Sequence, residues 1–430
     1  MNQTTLTPNP ETLVADSPAV SAPQIAERLD DIDVTPQVVH DAALRLASTV
    51  TQFTTEWASQ QLCLPVQFVE EAFWKLKTEH LVEIRGQEGP FNYRYAVTDK
   101  GMKAASRLFE FCGYVGPVPV SLESYTEMLA VRDKTKVTTE KVRHALTGLK
   151  VTESVNQVAA LAASSGRSLF LFGPPGNGKT TLGKLLHEVY CDDTVWIPYA
   201  ISVGATVIRI FDAECHQRVE PEPGLKCDQR WVQIKRPFIC AGGEMTISEL
   251  DLAYSQTHRF YEAPPHVKAN GGTFMIDDFG RQRVNPEDLL NRWIIPLEHQ
   301  VDHLTLHTGQ KIQLPFDLML TVATNLDVNQ VADPAFLRRM GYRVQIAAPD
   351  EARYRSIFES AAESLGVTVP STFLDQVLQR YRHEERQLRG SEPKELLERC
   401  RDICTLNQQP FVLNEDNLDL AWVAFFGCND

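Results

Sequence analysis

The stretch Gly173-Pro-Pro-Gly-Asn-Gly-Lys179-Thr180-Thr181 lies between an apolar run, Leu169-Phe-Leu-Phe172, and a segment with helical periodicity, residues 182–190. The apolar run is typical of a buried strand. The pattern G-x-x-x-x-G-K-[ST] between a strand and a helix is that of a phosphate-binding loop (P loop), because its glycines expose successive N–H groups at the positive end of the helix dipole. A glycine-rich turn with an unrelated lysine is the alternative, and the complete motif disfavours it.

The P loop predicts a nucleotide site with a metal ion. Lys179 is expected to reach the β and γ phosphates, and the Thr180 hydroxyl is expected to bind Mg²⁺. The predicted cofactors are therefore ATP and magnesium. The residues expected to bind the nucleotide are Gly173, Pro174, Pro175, Gly176, Asn177, Gly178, Lys179, Thr180 and Thr181.

A second apolar run, Gly271-Gly-Thr-Phe-Met-Ile, ends in two carboxylates, Asp277 and Asp278. A strand that ends in acids is what a Walker B element requires. Asp277 is expected to hold Mg²⁺, and Asp278 is expected to orient and activate the attacking water. A solvated turn is the other interpretation of two acids at a strand tip, and the preceding P loop makes it the weaker one.

Composition limits the class of protein and its partners. The chain has 430 residues and a formal net charge of −14, so a nucleic acid held by a general positive field is disfavoured. No apolar run approaches the roughly 18 residues that span a bilayer, and the N-terminus lacks the pattern of a signal peptide. The cysteine number is odd, 9, without a C-x-x-C pair. We expect a cytoplasmic protein with free thiols and no cysteine metal site.

Residues 38–116 are predicted to fold as a unit of helices and one hairpin. A helix is expected around residues 42–58, and a second helix is expected after Pro65. The order resembles that of a winged-helix domain, a fold that often binds DNA. However, this segment has 8 basic and 9 acidic side chains, and Glu70 and Glu71 lie near the start of the presumed recognition helix. Two interpretations remain open, a protein-docking or oligomer-organising role and DNA binding, with the first favoured.

Several strands are predicted outside the two nucleotide motifs. Residues 195–211 alternate as a hairpin around Gly204, and residues 230–239 are predicted as one strand. Residues 301–314 alternate as a second hairpin around Thr308-Gly309. Its polar side chains include His303, His307 and Lys311, and a solvated hairpin is one interpretation of them.

The acidic run, a helix through residues 289–298 and the strand Leu318-Met-Leu-Thr-Val-Ala-Thr-Asn325 together resemble the core of the AAA+ ATPases. The resemblance implies that Asn325 is the sensor 1 residue, which holds the water or the γ-phosphate. It also implies an arginine finger, which acts on the nucleotide of a neighbouring subunit. Arg338 and Arg339 are the candidates for this finger, and Arg343 is the structural alternative.

The hairpin before Asn325 resembles the AAA+ branch that contains enhancer-binding activators, MoxR-type ATPases and magnesium chelatase subunits, in which such hairpins face the pore of a ring. The resemblance implies that His303, His307 and Lys311 contact a threaded or gripped partner, and a solvated hairpin is the equal alternative. The Gly-Ala-Phe-Thr-Gly-Ala loop of the activators is absent, which argues against that activity. Lys394 stands at the sensor 2 position, where the family usually has arginine, with Arg389 as a substitute. Asp278 stands where the family usually has glutamate, and its side chain is one methylene shorter, so slow hydrolysis is the alternative to normal turnover.

The predicted fold is α/β, with an AAA+ core whose parallel sheet lies between helices. The predicted segments are a disordered tail (1–37), a winged-helix domain (38–116), a helical linker (117–150), the AAA+ core (151–349) and a helical lid (350–430). The predicted function is a Mg-ATP-dependent ATPase that assembles as a homo-oligomeric ring, with a hexamer expected, and remodels a protein partner. The alternatives are a DNA-associated regulatory ATPase and a slow nucleotide-gated scaffold.

Overall fold

The computed structural model describes residues 22–90, 92–131, 137–190, 192–326 and 334–427. These residues form an N-terminal unit, a β-rich unit, a parallel sheet between two layers of helices, and four C-terminal helices. Across these ranges, every helix is too short or too polar to reach from one side of a bilayer to the other.

Strands predominate between residues 194 and 262, and the elements over residues 351–426 are all helices. The strands are β1 (Phe53–Thr54), β2 (Val82–Gly89), β3 (Asn92–Val97), β4 (Val120–Ser121), β5 (Leu169–Phe172), β6 (Thr194–Pro198), β7 (Ala200–Val203), β8 (Thr206–Arg209), β9 (Trp231–Lys235), β10 (Phe238–Ala241), β11 (Ala253–Ser255), β12 (Phe260–Glu262), β13 (Thr273–Ile276), β14 (Val301–Thr305), β15 (Lys311–Pro315), β16 (Met319–Thr324) and β17 (Tyr342–Gln345). The α-helices in the described ranges are α1 (Pro36–Ala47), α2 (Thr55–Leu62), α3 (Val66–Thr78), α4 (Asp99–Phe111), α5 (Leu122–Val131), α6 (Thr139–Ala145), α7 (Glu153–Ser165), α8 (Lys179–Glu188), α9 (Pro265–Lys268), α10 (Pro286–Arg292), α11 (Ile294–His299), α12 (Pro334–Arg339), α13 (Glu351–Ser364), α14 (Ser371–His383), α15 (Glu392–Leu406) and α16 (Glu415–Phe426).

The N-terminal unit contains α1 to α4 and an antiparallel sheet of order β1-β3-β2. The rings of Phe53, Phe73 and Tyr95 pack together in its core, with centroids 4.9 Å apart for Phe53 and Phe73 and 5.1 Å apart for Phe73 and Tyr95. These three side chains come from β1, α3 and β3, so one aromatic cluster joins the sheet to the helix that lies on it.

The first predicted helix of this unit, over residues 42–58, is wrong, since two helices and a strand occupy the segment. The Ser48 hydroxyl donates to the carbonyl of Arg45 at the end of α1. The Thr54 side chain then accepts from the backbone N–H of Trp57 and caps the start of α2. Side-chain bonds of this kind compete with helix continuation, and they interrupt the apolar periodicity that suggested a single helix.

Residues 22–35 pack against folded units, so the predicted disordered tail is too long. Leu29, Ile32 and Val34 are buried in the core of the N-terminal unit. Proline and polar residues dominate the composition here and hide the close spacing of these three apolar residues. The rest of the predicted tail, residues 1–21, lies outside the described residues.

A buried ionic cluster around Arg230 joins the N-terminal unit to the β-rich unit. Arg230 is 5% exposed, and its guanidinium lies 2.6 Å from an Asp33 carboxylate oxygen and 2.7 Å from an Asp228 carboxylate oxygen. The second oxygen of Asp33 accepts from the backbone N–H of Ser121 at 2.6 Å. Removing one partner from such a pair costs about 3–5 kcal/mol, because it leaves a buried charge without compensation.

The β-rich unit is a sheet of order β11-β12-β8-β7-β4, with the pairs β6–β9 and β14–β15 beside it. The predicted hairpin over residues 195–211 is partly right, since β7 and β8 pair around Gly204 whereas β6 pairs with β9. The single strand predicted over residues 230–239 is wrong. It is two strands in different sheets, because β10 joins the parallel sheet.

Two further segments complete the β-rich unit. The hairpin predicted over residues 301–314 is confirmed as β14 and β15, and its inward side chains Leu304 and Ile312 are buried in the core of this unit. Residues 117–150 are more than a linker, because β4 pairs with β7 and α5 buries Tyr125 in the same core. The predicted helices of that segment are present as α5 and α6.

The parallel sheet has the order β10-β13-β16-β5-β17, with every neighbouring pair parallel. Successive side chains of β5 enter opposite helical layers, since Leu169 and Leu171 pack with α7 and α8 whereas Phe170 packs near α10 and α12. Burial on both faces explains why these strands are continuous apolar runs. The predicted α/β fold class is confirmed.

The four C-terminal helices α13 to α16, called the lid from here on, pack around their own core. A buried hydrogen-bond chain crosses it, in which the Tyr354 hydroxyl donates to the Tyr381 hydroxyl at 3.2 Å and Tyr381 donates to Glu392 at 2.7 Å. This chain connects α13, α14 and the first residue of α15, so these helices are held as one body.

Candidate functional site

The P loop connects β5 to α8 at the carboxyl end of the parallel sheet. A Cβ at Gly173 would lie 2.2 Å from the carbonyl oxygen of Ile346, and a Cβ at Gly176 would lie 2.7 Å from the Ser391 hydroxyl oxygen. Both glycines also have positive φ, 134° and 77°. Glycine is therefore required for the backbone of this loop to pass between β17 and the lid.

Lys179 lies beneath the P loop and is 7% exposed. Its ammonium donates to the carbonyl oxygens of Gly173 at 2.9 Å and Pro174 at 2.7 Å. Burial lowers the pKa of Lys179, whereas the carboxylates of Asp278 and Asp277 oppose this shift. The loop therefore holds a cation at its centre, close to both acids of β13.

Thr180 and Asp277, the two predicted magnesium ligands, are in contact. The Thr180 hydroxyl lies 2.8 Å from one carboxylate oxygen of Asp277 and 3.0 Å from the other. A hydroxyl and a carboxylate are oxygen donors of the kind that Mg²⁺ prefers. The donor set therefore fits this ion, and it joins the start of α8 to the end of β13.

Asp278 and Asn325 are also brought together, from the ends of β13 and β16. The Asn325 side-chain amide donates to Asp278 at 2.7 Å, and the backbone N–H of Asp278 donates to the Asp277 carboxylate at 3.0 Å. Asp278 has a φ of 50°, in a region that few residues other than glycine adopt. Backbone strain of this kind is concentrated at functional sites.

Gln282 supports the acidic pair, and the sequence motifs alone assign it no role. Its side chain is buried and donates to the backbone carbonyl of Asp277 at 3.0 Å, while its carbonyl accepts from the N–H of Gly280 at 2.7 Å. It therefore fixes the turn that carries Asp278. The available signal was a glutamine four residues after that strained turn, in the string Asp-Asp-Phe-Gly-Arg-Gln.

The lid reaches the P loop through residues 389–391. The N–H of Ser391 donates to the Gly176 carbonyl at 2.8 Å, and the N–H of Gly390 donates to the side chain of Asn177 at 3.0 Å. Asn177 is among the residues expected to bind the nucleotide, and its buried side chain also links the loop to the lid. The neighbouring residues Pro175 and Thr181 are exposed.

Lys394, the predicted sensor 2 residue, is not brought to the P loop. Its side chain is 67% exposed and its ammonium lies 3.9 Å from Glu398 on the same helix. Arg389, the predicted substitute, is nearer, since a Cβ at Gly176 would lie 3.6 Å from its Cβ. Lys394 faces outward because α15 begins at Glu392. The first two residues of the helix, Glu392 and Pro393, are buried against the lid core, which places Lys394 on the solvent side.

The finger candidates lie at the opposite end of the sheet from the P loop. Arg338 and Arg339 end α12, immediately before β17, which pairs with β5 from its first residue. The 4 residues of β5 span roughly 13 Å, so these arginines do not reach the P loop of their own chain. Arg339 donates to Glu298 at 2.9 Å, whereas Arg338 and Arg343 are exposed.

The hairpin β14–β15 presents polar side chains on its outer face. His303 and Lys311 are exposed. His307 is held more firmly, because its ring stacks on Tyr254 with centroids 4.1 Å apart and its backbone N–H donates to the hydroxyl of Tyr261 at 2.9 Å. Of the three candidates for contact with a partner, His303 and Lys311 are therefore the less constrained.

A cleft of about 220 Å³ adjoins the P loop. Residues 150–155, the end of β17 and α13 form its walls, and Asn177 and Gly390 close it on the side of the loop. The cleft lies between the segment before α7 and the lid, so any group bound in it contacts both.

Comparison with known proteins gives one family match and several structural likenesses. A family model described as a domain of unknown function (DUF8689) matches residues 350–424, which hold most of the lid. No curated protein sequence matches the chain.

Three solved structures illustrate the structural likenesses. NtrX from Brucella abortus in complex with ADP shares 14% sequence identity with a TM-score of 0.39, and the match covers 64% of this chain and 55% of that chain. The ATP complex of NtrX from Brucella abortus gives 14% identity and a TM-score of 0.40, and the match covers 65% of this chain and 57% of that chain. The Thermotoga maritima RuvB Holliday junction branch migration motor gives 14% sequence identity and a TM-score of 0.37, and the match covers 68% of this chain and 72% of that chain. The chain thus spans 55% of the length of the first of these structures.

The arrangement of the nucleotide-binding half determines its fold class. The P loop follows β5, the acidic pair follows β13, and Asn325 follows β16, which lies between those two strands. A four-helix lid follows the sheet and contacts the P loop. With these elements in this order, the chain has the fold of the AAA+ ATPases.

Proposed function

We propose that this protein is a Mg-ATP-dependent ATPase that works as a homo-oligomeric ring, with a hexamer as the expected assembly. The observation that carries the proposal is the contact of Thr180 with Asp277 beside the contact of Asn325 with Asp278. These four side chains come from the ends of three different elements. Their convergence beside Lys179 supports phosphoryl transfer more directly than any single motif does.

The proposed roles follow from the position of each group. Thr180 and Asp277 would hold Mg²⁺, which when bound neutralises charge on the transferring phosphoryl group. Lys179 binds the β and γ phosphates, and Asn325 orients the Asp278 carboxylate. Asp278 accepts a proton from the attacking water.

The 220 Å³ cleft supports a position for the base of the nucleotide. Its walls come from residues 150–155 and from α13, so the bound base bridges the core and the lid. Arg389 lies beside Gly176 of the loop, and we assign it, rather than Lys394, to the phosphates. Nucleotide exchange would then change the contacts between the lid and the P loop.

Replacing Asp278 with asparagine tests the hydrolytic role. We expect turnover to fall by about 100-fold, because the proton acceptor is lost, while ATP affinity stays within about twofold. Steady-state phosphate release and equilibrium ATP binding are the measurements, and Asp288→Asn on α10 is the matched control. A wild-type rate no faster than that of Asp278→Asn contradicts hydrolysis and leaves the slow nucleotide-gated scaffold, which the shorter Asp278 side chain favours.

For the partner, we propose a protein bound by the N-terminal unit, which we interpret as a winged-helix domain. The exposed face of α3 carries Val66 and Trp74, which are 38% and 44% exposed. Glu70 and Glu71 lie between them, and the ammonium of Lys77 covers the Trp74 ring at 4.0 Å. An exposed tryptophan is typical of protein interfaces, and acids on this face repel phosphates.

Trp74→Ala tests this surface. In the Asp278→Asn background, which prolongs the ATP state, we expect the affinity for a co-purified protein partner to fall at least about 30-fold, as for the loss of about 2 kcal/mol at an anchor residue. The control is Met102→Ala, a comparably exposed apolar residue on α4 of the same unit. Salt-sensitive binding of duplex DNA, lost when Lys75 and Arg94 are reversed in charge, would instead support the DNA-associated regulator.

A further inference from the structure

We infer that Arg167 is a second cation that acts with Arg338 on the phosphates of the nucleotide bound to a neighbouring copy of this chain. The inference rests on the proposed function, and it adds a residue that no sequence motif marks. The two arginines line one cavity of about 880 Å³ at the amino end of the parallel sheet.

The backbone fixes Arg167 beside the segment that carries Arg338. Ser168, the next residue, accepts the N–H of Gly341 on its hydroxyl at 3.0 Å, and its carbonyl accepts the N–H of Tyr342 at 3.0 Å. These bonds hold the start of β5 against the turn between α12 and β17. Arg167 and Arg338 therefore lie on the same rim, although they are far apart in sequence.

Gly341 provides the space for the Arg167 side chain. A Cβ at Gly341 would lie 2.6 Å from the Cβ of Arg167 and 3.3 Å from its Cδ. The stem of Arg167 thus lies over a bare backbone, three residues after Arg338. This packing orients the aliphatic part of the Arg167 side chain, and the residue as a whole remains exposed.

The charges that line the cavity indicate an anionic ligand. Four arginines line it against one acid, Asp317, in a chain whose net charge is −14. Arg236 pairs with Asp193 and Arg339 pairs with Glu298. In the described parts of the chain, neither Arg167 nor Arg338 forms an ion pair, so their two charges remain available to one ligand.

The anion must come from outside the chain, because its own P loop lies at the opposite end of β5. A triphosphate carries several charges on neighbouring oxygens, and an arginine fork matches phosphate oxygens in pairs. Two guanidiniums on one rim therefore match the triphosphate of a nucleotide in an adjacent subunit better than they match a single carboxylate.

The test uses mixed assemblies in which one kind of chain cannot hydrolyse ATP itself and contributes only its arginines to the nucleotide site of a neighbour. A Lys179→Ala chain, which has no turnover of its own, is mixed in excess with wild type, and ATP turnover by the wild-type subunits is measured. The same donor is then made with Arg167→Met, which keeps the stem over Gly341 and removes the charge. Arg401→Ala, an exposed arginine on α15, is the control donor.

We expect the Arg167→Met donor to lower turnover by about tenfold relative to the Arg401→Ala donor, with Arg167→Lys restoring part of the rate. The Arg167→Met chain alone should bind ATP as wild type does. Equal turnover with the Arg167→Met and Arg401→Ala donors, while an Arg338→Ala donor is inactive, overturns the inference and leaves the proposed ATPase intact. A weaker ATP affinity of the Arg167→Met chain alone also overturns it, since the residue would then act within its own subunit. Absence of turnover by wild type contradicts the proposed function itself.

Discussion

Lys179→Ala is expected to lower ATP turnover by at least about 1000-fold, the upper end of the effect of one preorganised charge-stabilising donor. The ammonium of Lys179 is buried and bonded to the carbonyls of Gly173 and Pro174. Its loss removes the central cation of the loop, so ATP affinity is expected to fall together with the rate. Phosphate release and ATP titration measure the two effects.

Lys184→Ala is the matched control for this variant. Lys184 lies on the same helix, α8, and is exposed, so its removal tests whether any lysine of the helix has the effect. We expect its rate and affinity to stay within about twofold of wild type, as for an ordinary surface change. Unchanged turnover in Lys179→Ala would exclude the P loop as the site of hydrolysis.

Arg338→Ala is the second variant with a large expected effect, a loss of about 1000-fold in turnover with ATP binding retained, at the lower end of the range for an arginine finger. Arg338 is exposed, and it lies at the end of the sheet away from its own P loop. An effect on turnover without an effect on binding therefore requires a neighbouring subunit.

Mixing Arg338→Ala with Lys179→Ala decides whether the arginine acts between subunits. Each variant alone is inactive, but the first keeps an intact P loop and the second keeps an intact arginine, so we expect the mixture to recover turnover. No recovery in an assembled mixture would eliminate action between subunits. Arg339→Ala should have a smaller effect, because Arg339 is already paired with Glu298.

The sequence alone predicts the centre of the site well, for a local reason. The P loop motif requires glycine at positions that the backbone cannot otherwise occupy, as Gly173 and Gly176 show. The acids after β13 and Asn325 after β16 meet because the carboxyl ends of neighbouring parallel strands lie at one edge of the sheet. These contacts follow from the order of the strands, which the resemblance to AAA+ ATPases also implied.

The parts that the sequence alone did not predict depend on contacts between distant segments. Arg389, rather than Lys394, approaches the P loop because α15 begins at Glu392, and this start fixes which side of the helix faces outward. Likewise β10 joins the parallel sheet whereas β9 pairs with β6, a choice that depends on partner strands and not on alternation. Arg167 carries no motif, and its proximity to Arg338 arises only when β5 and β17 pair.

The ionic cluster of Arg230 limits how the molecule can move. Arg230 bonds Asp33 from the N-terminal unit, and the N–H of Val118 donates to the Leu62 carbonyl at 2.9 Å on the way to the β-rich unit. These contacts join the N-terminal unit, which carries α3, to the β-rich unit, which carries the β14–β15 hairpin. We therefore expect α3 and this hairpin to move as one body whenever the lid changes its position.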